Sequence, residues 1–410
     1  MPSPIKVGFV MHVMQVAGAE VLVRQIIEQL GDKISPTILC LDAVGTIGEQ
    51  LMQSGVPLTV LDRKPGMDWG VAKRMSDVVK AQQIQVLHAH QYTPFFYAAL
   101  GRLRHRMPAK ILFTEHGRHY PDIVSWKRRW ANKVLLQRYA DKVTACCDFS
   151  TQALHKIEGF PKAFTLANGV DMAELPARGD EQQTRELRSR LGLDLDRPYA
   201  ACIARFHAVK DHATLIRGWQ RVHQQLPEAR LLLVGGGEEE SQLREQVTGI
   251  EKSQAGFQDS VQFLGIRHDV PDILRAIDVF TLTSVSEAAS LTLLEAMASQ
   301  CASVVTAVGG NGEHLRQGTD GYLVPRADDQ ALASKLVELL TNKQKAKSTK
   351  NGPQRPRASP NPVQPQHRRR PLLSALRKFS SEYPTLNPPA RTRREPVPGK
   401  GSRFLSATSP

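Results

Sequence analysis

The chain has no run of about 18 apolar residues, the length needed to cross a bilayer, so no transmembrane helix is expected. Met1 to Met14 lack a long apolar stretch with a small-residue cleavage site, and read as a first strand rather than a secretory signal. Cysteine is scarce: the five (Cys40, Cys146, Cys147, Cys202, Cys301) are odd in number, and none has metal-ligand spacing. That argues against a disulfide framework and for buried free thiols in a reducing, cytoplasmic compartment. With 41% hydrophobic residues in 410, the chain is globular and too long for one ordinary core, so two domains and an extra segment are expected.

Acidic residues are nearly missing from one end. The formal net charge is +14, and from Asn342 to Pro410 six Lys and ten Arg face only Glu382 and Glu395, so that segment carries the whole excess. The remainder is neutral, which makes nucleic acid the disfavoured partner and leaves an anionic membrane surface as the candidate for the basic end. Twelve of the 26 prolines lie there too, and only Leu372 to Phe379 has a helical pattern. Such a composition cannot bury enough apolar surface to order itself. Residues 342–410 therefore read as a disordered basic extension, or as the product of a reading-frame change near residue 342.

Before that tail, strand and helix patterns alternate. Lys6 to Val10, Pro36 to Leu41, Val56 to Leu61, Val86 to His90, Ile111 to Glu115 and Val143 to Cys147 read as strands, with helices between them. After an interruption near residues 171–198 the pattern resumes, predicting an α/β protein of two doubly wound, Rossmann-like domains facing a cleft, 1–175 and 176–341. His88 and His90 end one strand on the same side; they are either a structural pair or metal ligands, with no third ligand evident. Trp126 to Tyr139 holds two Trp and five Lys or Arg. It either lies at a membrane surface or is a solvated helix whose Trp130, Val134 and Leu135 form a core stripe.

Four places carry candidate chemistry. Gly18 sits in a loop leading from the first strand into a helix, where a glycine lets amides approach a phosphate or simply makes a tight turn. His116 follows a strand at the edge where ligands gather in parallel sheets. Arg205 and Lys210, five positions apart, flank a loop into the helix Ala213 to His223. Cations are disfavoured by the dipole at a helix start, whereas a diphosphate suits a forked Arg donor and a Lys point charge. Gly235 begins a glycine turn that is not a Walker loop, since no Gly-Lys-Ser follows. Finally, Asp278 to Glu313 reads as one βαβ unit, with Glu287 in the first loop and Glu295 in the helix, eight positions apart. Eight residues is just over two helical turns, so both carboxylates can lie on one side. A buried acid needs hydroxyls or amides as partners; the alternative for Glu287 is a charge favoured at a helix start.

Glu287-x7-Glu295 with Ala296-Met297-Ala298, Gly309-Gly310 with Glu313, Arg205-x4-Lys210, Ala17-Gly18-Ala19-Glu20, His116 and Asn168-Gly169-Val170-Asp171 together resemble the retaining, nucleotide-sugar-dependent glycosyltransferases of family 4, which have the GT-B fold. The resemblance spans about Lys6 to Leu340. It implies transfer of a sugar, with retention of configuration, from a nucleotide-diphosphate sugar to a glycan or lipid-linked acceptor in cell-surface polysaccharide synthesis. It also implies no metal and no cofactor beyond the donor substrate. His116, Arg205, Lys210 and Glu287 would be catalytic, and Gly18, Glu295, Gly235 and Gly310 would bind substrate. Peripheral attachment to the cytoplasmic face of a membrane follows from the acceptors such enzymes use. Ala17, Ala288, Gln300 and Ala302 depart from the family pattern, with effects expected on turn geometry. The alternative expectation is a catalytically impaired scaffold whose basic tail binds anionic membrane or nucleic acid.

Overall fold

The computed structural model describes residues 3–117, 125–172 and 175–342; the expected disordered tail lies outside the described residues. Among the described residues thirteen strands form two sheets. The first holds β1 (Ile5–Val13), β2 (Ile34–Ala43), β3 (Leu58–Val60), β4 (Val86–His90), β5 (Lys110–Glu115), β6 (Lys142–Ala145) and β7 (Phe164–Thr165), in the order β3-β2-β1-β4-β5-β6-β7. The second holds β8 (Tyr199–Ile203), β9 (Arg230–Val234), β10 (Val261–Gly265), β11 (Val279–Leu282), β12 (Ala302–Thr306) and β13 (Gly321–Val324), in the order β10-β9-β8-β11-β12-β13. Every pairing is parallel, for example Val7 opposite Val86 and Val279 opposite Ala302.

Parallel sheets are covered by helices on both faces, so their strands read as continuous apolar runs instead of alternating ones. All five residues of β8, of β4 and of β12 are buried. The covering helices bury one stripe each. Gly18–Leu30 turns Leu22, Val23, Ile27 and Leu30 inward, and His212–Gln225 turns Leu215, Ile216, Trp219 and Val222. The fully buried Trp219 indole donates to Ser260 Oγ at 3.1 Å, which meets its one polar requirement.

In each sheet the strand order reverses once, between β1 and β4 in the first and between β8 and β11 in the second. Outside the carboxyl ends of the strands at such a switch point the flanking loops part and leave a crevice. Gly18 follows β1, Arg205 follows β8 and Glu287 follows β11, so the chain order alone delivers these residues to the two crevices.

The segment Trp126 to Tyr139 differs from its core-stripe expectation. Its α-helix is Trp126–Val134, begun by Ser125, whose hydroxyl accepts the Arg128 amide at 3.3 Å. Trp126 and Trp130 are 72% and 65% exposed, and Val134 and Leu135 are also exposed. What packs inward is polar: Asn132 is fully buried, accepting from the Tyr92 hydroxyl at 2.7 Å and donating to Glu158 O at 2.9 Å, while Arg128 pairs with Glu158. Hydrogen bonds and an ion pair hold this helix, and they override the apolar periodicity.

Arg188, on helix Glu181–Arg190, ties the second domain's lower edge together. It donates to the carbonyls of Ala276 (2.9 Å), Leu195 (3.0 Å) and Arg197 (3.0 Å) and to Asp278 Oδ2 (2.8 Å). Asp278 in turn accepts the Tyr199 amide at 3.0 Å. Removing one partner of such a network strands the rest without water. Arg188→Met is expected to lower the unfolding free energy by about 3 kcal/mol in urea denaturation; a loss below about 1 kcal/mol would show that the network contributes little.

Candidate active site

The second domain's crevice is built by backbone lacing. After β8 the chain passes Arg205 and turns through a 3₁₀ turn, Ala208–Lys210, into Asp211, which adopts a left-handed conformation (φ +47°) and caps the next helix by accepting the Thr214 amide at 3.1 Å. Thr283, just past β11, donates to the carbonyls of Lys210 (3.1 Å) and Asp211 (2.9 Å), and the Val285 amide reaches Val209 O at 2.9 Å. Those bonds bring the Lys210 ammonium onto the Glu287 carboxylate, which also accepts the Ser284 hydroxyl at 2.7 Å. Thr306, at the end of β12, donates to Ser284 O at 2.6 Å, so three strand ends share one hydrogen-bonded patch.

The glycines around this patch serve close packing. A Cβ on Gly309 (φ +52°) would fall 1.5 Å from Glu287 O, and one on Gly310 would fall 1.9 Å from Ala288 O. The Gly310 amide donates to Glu287 O at 3.3 Å and the Gly235 amide to Gly265 O at 2.9 Å. Both substrate-binding candidates therefore have their amides committed within the protein. Gly235 (φ +143°) lets Ala204 O approach beside Arg205, where a Cβ would sit at 2.1 Å. Gly18 opens its helix with room to spare, since a Cβ there would meet only Leu291 Cδ1 at 3.8 Å.

Glu295 sits in the helix Leu291–Ala298, where burial pushes its carboxyl up to about 7. Arg205 is exposed and has no ion-pair partner among the described residues. The charge it answers is Glu20, buried in the first turn of the facing helix: burial raises that carboxyl to about 7, and the Arg205 guanidinium acts in the opposite direction. From sequence Glu20 enters only as the last residue of the Ala17-Gly18-Ala19-Glu20 motif, with no role of its own.

In the first domain His116 follows β5 and stacks on His90, ring centroids 5.0 Å apart, with His90 Nδ1 and His116 Nε2 separated by 2.7 Å. His88 Nε2 meets Thr114 Oγ1 at 2.8 Å. Burial holds His88 down to about 3 and His90 well below the usual imidazole range, so both rings are neutral. The pair raised as possible metal ligands is thus engaged with neighbouring side chains. These rings, with Leu22, Ile26, Gln29 and Asn168, line a pocket between the helix Gly18–Leu30 and the sheet.

The two halves meet beside these residues. The Ala288 side chain lies where a Cβ on Gly117 would come within 2.4 Å, so Ala288 packs directly against the residue after His116 instead of only shaping its own turn. Glu313 reaches across and accepts the amides of Asp148 (2.9 Å) and Phe149 (2.6 Å). One Asp-x-Asp stretch exists, Asp194-Leu195-Asp196. It precedes β8 at the opposite edge of the sheet, where Asp194 accepts the Asp196 amide and pairs with Arg197, each at 3.0 Å.

Two parallel-sheet domains, with a Lys–carboxylate pair and an exposed Arg at the carboxyl edge of one and a histidine at that of the other, define a two-domain α/β protein with a candidate site at its switch points. The family profile described as Glycosyltransferase Family 4 matches residues 16–174, and that described as Glycosyl transferases group 1 matches residues 197–342. The N-acetyl-alpha-D-glucosaminyl L-malate synthase of Bacillus anthracis is 27% identical, over 68% of this chain and 71% of the relative. A GDP-mannose-dependent phosphatidylinositol monomannoside mannosyltransferase of Corynebacterium glutamicum is 25% identical, over 66% and 70%. Among solved structures, Anabaena HepE in complex with UDP and glucose has a TM-score of 0.73 at 21% identity, covering 85% of this chain and 93% of that one. The chain belongs to the family 4, group 1 glycosyltransferases, with the GT-B fold, and is a glycosyltransferase.

A carboxyl raised from 4.5 to about 7 on folding keeps its proton between those values while the unfolded chain has lost it. Its contribution favours the folded state below pH 4.5 and is lost as the pH rises through 7. Glu295→Gln is expected to flatten the decline in unfolding free energy between pH 5 and pH 8 by about 1–2 kcal/mol relative to the unaltered chain. Parallel curves for the two proteins would mean that Glu295 is solvated.

Proposed function

We propose that this glycosyltransferase takes a sugar from a nucleotide-diphosphate sugar and passes it, with retention of anomeric configuration and without a metal, to a glycan or lipid-linked acceptor in cell-surface polysaccharide synthesis. The observation that carries the reading is the Lys210–Glu287 pair held at the second domain's switch point by Thr283, Val285 and Thr306. A cation fixed there needs no rearrangement when a diphosphate begins to leave, which is where electrostatic preorganisation contributes most. Arg205, exposed at the end of β8, is placed to supply the second positive charge.

In this reading Glu287 accepts hydroxyls of the donor sugar, Glu295 accepts those of the ribose, and His116 meets the sugar from the first domain. A partly buried carboxyl that is costly to ionise is relieved when hydroxyls hydrogen-bond to it. The Gly18 loop adds amides at the uncapped start of its helix, where a phosphate is favoured. No side chain is offered as a covalent nucleophile; the acceptor attacks from the face the diphosphate leaves, and the departing phosphate oxygen takes its proton. HepE, named as binding UDP and glucose, supports a uridine donor as the first to try. An acceptor anchored in lipid would be met at the cytoplasmic face of a membrane.

Incubating the chain, without added metal, with UDP-, GDP- and ADP-sugars should release nucleotide from one donor. Lys210→Ala should lower that rate by about 100-fold or more in protein whose circular dichroism shows it still folded. Release from no donor, with no donor-induced rise in melting temperature, would support the impaired-scaffold alternative instead.

A further inference from the structure

Where the seam between the two domains passes the candidate site, Ala288 packs against Gly117, and with Cys146 and Cys147 it forms a small apolar cluster apart from the core of either domain. A Cβ on Gly310 would fall 3.1 Å from Cys147 Sγ, so the second domain's glycine turn lies directly on the first domain's thiol. Apolar contact of this kind has no direction and does not by itself fix a spacing. One side chain supplies the direction. Glu313 Oε2 accepts the Asp148 amide at 2.9 Å and Oε1 accepts the Phe149 amide at 2.6 Å, whereas the Asn168 side-chain amide reaches Ala289 O only at 3.5 Å. A carboxylate gripped at both oxygens is held in orientation as well as distance. Its root belongs to the site. Glu313 stands on the short helix Asn311–His314, where the Gly310 amide donates to Glu287 O at 3.3 Å and the buried Asn311 side chain donates to Thr306 O at 3.0 Å. Its far end meets the turn after β6, the strand paired with β5, which leads into His116.

We propose that Glu313 is the latch of the crevice: its grip on the Asp148 and Phe149 amides sets how far the second domain's Glu287 stands from the first domain's His116. It acts through those two residues and is a positioning residue. Closing two domains to a fixed spacing completes a site whose parts are divided between them. Glu313 is exposed at the rim of the seam, so altering it leaves both cores intact. The consequence for turnover rests on the reading of the function above; the latch itself does not.

The seam carries its own reporter, because Cys147 is buried under Gly310 and Ala288 while Cys40, Cys202 and Cys301 are buried elsewhere. The test compares the full chain with Glu313→Gln, which turns an N–H toward an amide that needs an acceptor, and with Glu313→Asp, which keeps the charge one methylene short. Treated with an aromatic disulfide reagent and read by mass spectrometry, the peptide holding Cys146 and Cys147 should be labelled about tenfold or more faster in Glu313→Gln. Glu313→Asp should fall between, and the other three cysteines should keep their rates. In nucleotide release, kcat should drop about tenfold in Glu313→Gln with the donor KM unchanged, since Arg205 and Lys210 stay within one domain. Equal labelling of that peptide in all three proteins would show that the seam is held without Glu313 and overturn the proposal. So would faster labelling at all five cysteines, which marks a general loosening, or a seam that opens while turnover stays at the rate of the unaltered chain. Release that fails in every protein, the unaltered chain included, would count against the proposed reaction and leave the labelling to decide the latch.

Discussion

The Lys210 ammonium rests on the Glu287 carboxylate where the ends of β8, β11 and β12 are sewn together by Thr283, Val285 and Thr306. A charge pair in that setting depends on the backbone beneath it, because its attraction offsets the loss of water only when both side chains are held without rearrangement. Much of the surrounding architecture answers to this requirement. Gly309 and Gly310 have no side chain because the Glu287–Ala288 backbone presses against them. Asp211 accepts a left-handed conformation so that the chain can turn from the cation into a capped helix. The sheet order then sets the pair at the one place where its loops part.

Across the crevice the first domain contributes neutral imidazoles and a buried acid in place of a second ion pair. His88 and His90 are kept uncharged by burial, and Glu20 is raised by the same cause while Arg205 faces it. One side is therefore positively poised and fixed, and the other is polar but weakly charged. Contacts of Ala288 with Gly117 and of Glu313 with the Asp148 and Phe149 amides keep these halves in register.

The fold was largely legible before any coordinates, because buried parallel strands such as Val279–Leu282 and Ala302–Thr306 are apolar throughout and the helices between them have clear 3.6-residue stripes. Strand limits were less so: Leu58–Val60 is shorter than its apolar run, since pairing with β2 ends where the sheet does. For Trp126–Val134 two readings were open, a membrane-surface helix and a core stripe, and the exposure of Trp126 and Trp130 excludes the core stripe. The helix's periodic Trp130 and Val134 point to a core stripe, yet Asn132 and Arg128 find buried partners on Glu158 and Tyr92, and no local pattern reveals partners about 30 and 40 positions away. The neighbour of Glu20 was not legible for a related reason, since Arg205 lies in the other domain.

The sequence by itself determined the class of fold, the two-domain division of its α/β pattern and the short list of residues with charge to spare, because periodicity and spacing are local properties. Tertiary structure alone decided which of them meet. It joined Lys210 to Glu287 across 77 positions and occupied the Gly235 and Gly310 amides within the protein. It also placed Glu20 opposite Arg205 and turned two tryptophans outward, since each outcome depends on which distant backbone or side chain arrives at the other end.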